Sequence, residues 1–197
     1  EMLEGRREEF ATAIQVTQHV TTAVARKEVD ASVDRLVTFA GWTDKYQQVI
    51  GCSNPVAGNY YNFTIPQPQG VVVSIAPSTP SLLGLITAIG APLCSGNTVV
   101  ALGSQAHPMA TAILGEVCQT SDVPAGVINL LTGKKSELLE HIATHRQVAS
   151  LYVSDCSKKE RVLLEEGSAD SMKRVHTVSF TEDDWYDNGV TASPWEI

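Results

Sequence analysis

Hydrophobic positions follow two rhythms along the chain. Leu3, Phe10, Ile14, Val20 and Val24 recur at roughly helical spacing with Arg6, Arg7, Glu8 and Glu9 between them, and predict an amphipathic helix. Val29, Val33, Leu36, Val37, Ala40 and Tyr46 predict a second. Residues 51–61 collect Gly, Asn, Pro and Ser and read as a loop. Residues 61–65 alternate like a strand, which Pro66 and Pro68 confine to a sheet edge.

From Gly70 the rhythm changes to short apolar runs between helical patterns. Strands are predicted over 71–75, 98–102, 127–131, 148–153 and 174–180. Helices are predicted over 82–93, 108–120, 136–144 and 158–166, the last stopping before Gly167. Near-continuous apolar strands alternating with helices imply an α/β fold, a Rossmann-like parallel sheet with helices on both faces, preceded by helices. Flavodoxin-like sheets share this pattern, so it fixes architecture and not function. Three segments follow: leading helices and edge strand over 1–66, the Rossmann-like domain over 67–180, and an acidic, Trp-containing tail over 181–197.

Composition narrows the partners. The 197 residues are 43% hydrophobic and only 6% aromatic, so Val, Ile, Leu and Ala must carry the core. A formal charge of −8 argues against nucleic acid, which needs clustered Lys and Arg. Cys52, Cys94, Cys118 and Cys156 form no CxxC pair and are expected as reduced thiols, not a disulfide framework or zinc site. No stretch resembles a signal peptide, and residues 71–94 are too interrupted by Ser, Thr and Pro to span a membrane. A cytoplasmic location is expected. The missing start Met and immediate helical pattern lead us to expect a piece of a longer polypeptide.

Several phrases resemble the coenzyme domain of aldehyde dehydrogenases. Pro68-Gln69-Gly70-Val71-Val72 resembles the family's P-x-G-V-V, and Cys94 to Val100 resembles A-G-N-T-V-V. Val123-Pro124-Ala125-Gly126-Val127-Ile128-Asn129 with Thr132-Gly133 resembles G-L-P-x-G-V-x-N-x-x-T-G, and His145 matches a helix-ending His. Order and spacing agree over 29–154. The resemblance is closest to the atypical sixteenth branch of the family, which carries a second, degenerate unit at its C-terminus.

What the resemblance implies for function lies in the departures. In the family's P-W-N-F segment the Asn amide stabilises an oxyanion; here the segment is Pro77-Ser78-Thr79-Pro80, so Thr79 stands at that position. Losing one such donor costs about 10²–10³ in rate. The K-P-S-E segment that holds the adenine ribose becomes Leu102-Gly103-Ser104-Gln105, with only Ser104 kept. The F-T-G-S turn that admits the cofactor pyrophosphate to a helix N-terminus becomes Val153-Ser154-Asp155-Cys156, and the T-G-x-G before it loses its second Gly to Lys135. Aligning Arg174 and Val175 with the family's next strand puts the general-base Glu at Val178, and the nucleophilic Cys lies beyond the residues present. Alternatively, residues 173–178 resemble the K-T-V strand near the family's C-terminus, which joins a neighbouring subunit's sheet.

No catalytic residue, cofactor or metal is therefore expected. His141 and His145 stand at i and i+4 without a third ligand, and exposed histidines are the plainer account. Asp155 opposes thiolate formation at Cys156. Lys134 and Lys135 read as a solvated pair, not a phosphate site. The expected function is a non-catalytic module for protein interaction or assembly in a longer protein. The alternative is a residual NAD(H)-binding subunit of an aldehyde oxidoreductase. A protein partner or self-association is expected, through a tail that stays extended and docks by Trp185, Tyr186 and Trp195.

Overall fold

A left-handed residue interrupts the first helical pattern. The computed structural model describes residues 1–191, with side chains through residue 189. His19, at φ 55°, ends one helix, and the Thr21 hydroxyl accepts from the Val24 N–H to start the next. The segment therefore folds as α1 (Met2–Gly5), α2 (Arg7–Gln18), α3 (Thr22–Thr43) and α4 (Tyr46–Ile50), not as two helices through Val24 and Tyr46. β1 (Cys52–Ser53) and β2 (Phe63–Thr64) pair antiparallel in a ribbon of their own. The strand expected over 61–65 is thus shortened to two residues and is not an edge of the large sheet.

The large sheet is built as β3 (Val71–Ile75), α5 (Ser81–Cys94), β4 (Thr98–Leu102), α6 (Met109–Thr120), β5 (Ile128–Leu131), α7 (Lys135–Thr144), β6 (Val148–Ser154), α8 (Lys158–Ser168), a 3₁₀ turn at Ala169–Ser171 and β7 (Arg174–Val178). All five strands run parallel in the order β5-β4-β3-β6-β7. Because β7 pairs with β6, residues 174–178 are the sheet's next strand within the chain. The motif Asn97 is structural: buried, it accepts from the Gln69 and Gly70 N–H groups at 2.7 and 3.0 Å and ties the start of β3 to β4. Helix α8 runs through Gly167 instead of stopping before it. A Cβ there would lie 2.6 Å from that of Ala143, so the glycine permits close packing of α8 on α7.

Two apolar clusters cover the sheet. On one face, Phe10, Ile14 and Val29 pack with Leu82, Leu85, Ile89, Val99 and Leu114, joining the leading helices to α5, β4 and α6. On the other, Val73, Ile75, Leu151 and Val153 meet Leu139, Ala143 and Leu164 of α7 and α8. Helix α5 is buried from Ser81 to Pro92, which explains why its sequence is apolar on every side. The stripe of α3 that faces it carries two buried ionisable residues, Glu28 and Arg35, among Ala25, Val29, Ser32 and Phe39.

The tail corrects the expectation of an extended segment. Thr181 and Asp184 form a reciprocal capping box that starts α9 (Glu182–Tyr186), followed by α10 (Asn188–Thr191). Trp185 is 2% exposed and packs edge-on against Phe180, with ring centroids 5.0 Å apart. The buried Arg35 guanidinium donates to the Trp185 carbonyl at 2.7 Å, to Thr87 Oγ1 at 2.6 Å and to Asn188 Oδ1 at 2.5 Å. Burial pushes its pKa down to about 10, which leaves it charged at neutral pH. Trp185 is therefore an anchor within the chain and not an exposed docking residue; Tyr186 is half-buried, and Trp195 lies outside the described residues.

Candidate functional site

The parallel strands end on one side of the sheet, where β3 has β4 on one flank and β6 on the other. The chain runs outward through β4 and β5 and returns to β6 across β3, so the crevice at these ends is the topological switch point. A cavity of about 330 Å³ lies there, walled by Ile75, Leu102 and Ala106 and edged by Gln105, Lys135, Ser154, Asp155 and Glu160. Leu102, Gly103, Gln105, Lys135 and Asp155, spread across 54 positions of sequence, all reach this cavity.

Each fills a defined place. Leu102 is 2% exposed and belongs to the core cluster beneath the cavity. The Gly103 N–H donates to the Leu131 carbonyl at 3.0 Å, a bond that a proline could not make, and a Cβ on Gly103 would lie 1.9 Å from Thr111 Oγ1. Ser104 is buried behind the wall: its hydroxyl donates to the Ser78 carbonyl at 2.9 Å and accepts from the His107 N–H at 3.1 Å. Gln105 Oε1 accepts from the Lys135 N–H at 3.1 Å, at the start of α7.

Asp155 adopts φ 51°, the left-handed region that glycine occupies without cost, and its carboxylate accepts from the Ser78 N–H at 3.3 Å. The Lys135 ammonium crosses the cavity to the Asp155 carbonyl at 3.0 Å and pairs with Glu160 at 3.3 Å. Glu160 in turn closes a capping box on α8, accepting from the Ser157 N–H and hydroxyl at 2.8 and 2.7 Å. Desolvation works against its ionisation, but the Ser157 hydrogen bonds and the Lys135 charge hold the carboxyl below its ordinary range. The helix N-terminus thus already holds a carboxylate from its own first turn. One cation faces two carboxylates, and Ser154 Oγ, in a residue 1% exposed, has no hydrogen-bond partner among the described residues.

The remaining positions are not gathered into this cavity. Thr79 lines a neighbouring hollow of about 400 Å³ with Glu28, His107, Asp155 and the tail residues Trp185 and Tyr186. Val178 lies on a third, surface hollow beside Cys156 and Thr177. Burial pushes the Cys156 thiol up, away from thiolate. His141 and His145 are exposed, and His145 has left the helix. No group of three or more His, Cys, Asp or Glu among the described residues is arranged to hold a metal ion.

Sequence reasoning missed Glu160 and Glu28. Glu160 was legible as the fourth residue of Ser157-Lys158-Lys159-Glu160, a capping-box spacing. Glu28 lies one turn from Ala25 and Ser32 on the buried stripe of α3. Helix α5 opens after Pro80, and Glu28 Oε1 accepts from the Leu82 and Leu83 N–H groups at 2.7 and 3.4 Å, capping α5 from another helix. Desolvation raises its pKa, against the hydrogen bonds from Leu82, Leu83 and Gln18.

The family model described as "Aldehyde dehydrogenase family" matches residues 1–177. The chain belongs to the aldehyde dehydrogenase family. Human retinal dehydrogenase 2 is 31% identical over 137 residues, covering 70% of this chain and 26% of that protein. Human retinaldehyde dehydrogenase 3 is 29% identical over 148 residues, covering 75% of this chain and 28% of the relative. The NAD+ complex of an aldehyde dehydrogenase from Bacillus cereus superposes with a TM-score of 0.82 at 26% identity, over 90% of this chain and 35% of that one. The chain therefore spans about a quarter to a third of these aldehyde dehydrogenases. No helix among the described residues is long and apolar enough to cross a membrane.

Proposed function

We propose that this aldehyde-dehydrogenase-like unit is non-catalytic and serves protein assembly within a longer polypeptide. The observation that carries the reading is the ribbon β1–β2 and its flanks, where Tyr60 and Tyr61 are each 79% exposed beside exposed Phe63 and Ile65. Large aromatics left in solvent on and beside a two-stranded ribbon, whose outer edges are unpaired among the described residues, suit pairing with another subunit. The occupant proposed is a second copy of this chain or another aldehyde-dehydrogenase-like subunit.

The site residues support the non-catalytic half. A pyrophosphate brought to α8 would meet the Glu160 cap, the Asp155 carboxylate and the Lys135 side chain drawn across the cavity. These residues do not fit a dinucleotide. Thr79 and Val178, at the positions of the family's oxyanion Asn and general base, line separate hollows. This pattern of losses supports a likeness to the degenerate C-terminal unit of the sixteenth branch. The four free thiols suit a reducing, cytoplasmic compartment.

Sedimentation velocity tests the assembly claim. The full chain is expected to sediment as a dimer or larger, and the Tyr60→Lys, Tyr61→Lys, Phe63→Lys triple variant as a monomer with an unchanged melting temperature. A monomeric parent chain, or an equally associated variant, overturns the reading. The rival reading, a residual NAD(H)-binding subunit, draws on the cavity at the switch point and on the Ser154 hydroxyl, which has no partner among the described residues.

A further inference from the structure

The hollow of about 400 Å³ beside the first cavity has a chemical character of its own. Three carboxylates (Glu28, Asp155, Glu182) and three aromatic side chains (Phe180, Trp185, Tyr186) line it, and no Lys or Arg is among its lining residues. Val20 and Val24 complete an apolar wall. The rings already show a taste for positive charge: the Lys27 ammonium sits 4.4 Å from the centre of the Tyr186 ring. The Tyr186 phenol is pushed up to about 12, first by burial and then by the Glu28 and Glu182 charges.

Three carboxylates and aromatic faces select against anions and do not describe a plain apolar slot. The geometry points to this hollow as a binding site for a small primary ammonium ion carried on a short apolar body. The ammonium donates to the Asp155 carboxylate, while Glu182 adds counter-charge. Glu28, whose oxygens already accept from Leu82, Leu83 and Gln18, contributes its field without a new hydrogen bond. The apolar body lies against Val20, Val24 and the aromatic wall. The tail is then part of a binding site, since α9 supplies Glu182, Trp185 and Tyr186.

Calorimetric titration of the full chain with n-butylammonium, tetramethylammonium and the neutral n-pentanol tests this. Saturable binding of n-butylammonium is expected, with n-pentanol weaker by about tenfold or more. Tetramethylammonium, which has no N–H to donate, is expected to bind more weakly than n-butylammonium. Because Glu28 caps α5, a Glu28→Gln chain can fail for reasons of folding. The Asp155→Asn, Glu182→Gln pair avoids this: Asn tolerates the left-handed backbone, and Glu182 is exposed in the first turn of α9. This variant should melt as the parent does and lose about tenfold in n-butylammonium affinity, with n-pentanol unaffected. No saturable n-butylammonium binding by the parent, equal binding of n-pentanol, or an unchanged affinity in the paired variant each overturns the proposal.

Discussion

Replacing Trp185 with Ala removes a side chain that is 2% exposed and packed edge-on against Phe180. Truncating a buried Trp to Ala costs about 3–5 kcal/mol, from lost transfer energy and the cavity left behind. At about 2–4 °C per kcal/mol for a chain of this size, the melting temperature should fall by roughly 6–20 °C. The backbone bond from Arg35 survives this substitution, because the acceptor is the Trp185 carbonyl. Deleting residues 181–197 goes further: the Arg35 guanidinium loses the Trp185 and Asn188 acceptors and keeps Thr87. Stranding buried donors of a charged group adds about 1–3 kcal/mol or more. Thermal unfolding followed by circular dichroism, on the parent, Trp185→Ala and the truncated chain, gives the comparison. An extended, dispensable tail predicts three matching transitions. If the truncated chain melts within about 2 °C of the parent, the anchoring role of Trp185 and Arg35 is wrong.

Two further outcomes follow from packing and charge. Gly167→Ala should destabilise by about 1–3 kcal/mol, because its Cβ would press on Ala143, whereas Gly115→Ala in α6, with nothing within 4 Å, should stabilise by up to about 1 kcal/mol; urea midpoints give both. Glu28 has a raised folded-state pKa, so its contribution to stability is present below its ordinary value of 4.5 and is lost as pH rises through the raised one. The melting temperature of Glu28→Gln minus that of the parent should therefore become more positive as pH rises above 4.5, and a flat difference would refute the assignment.

Much of the sheet was legible because its strands are buried on both faces: Val71–Ile75 and Thr98–Leu102 are apolar runs with the same ends in sequence and structure. The break at His19 was not, since Val20 continues the helical spacing while one left-handed residue ends the helix. Gly167 resembles a stop signal but provides close approach. The tail misled for another reason. Its first acidic residues mark a helix N-terminus at Thr181, and Trp185 behind them completes the core. In the site, Leu102, Gly103, Gln105, Lys135 and Asp155 were legible through motif departures, because strand ends converge in such sheets whatever residues occupy them. Glu28 and Arg35 were not, because an ionisable residue on an apolar stripe shows its role only once its partners are placed.

In our reading these substitutions converge on one cavity and close it to the dinucleotide. Titration of NAD+ into the full chain by calorimetry addresses it most directly, beside a Leu102→Lys, Gln105→Glu, Lys135→Gly, Asp155→Gly variant that restores the family's residues. The parent is expected to show no saturable heat up to about millimolar cofactor, with any recovered binding confined to the variant. A micromolar dissociation constant for the parent would contradict the account.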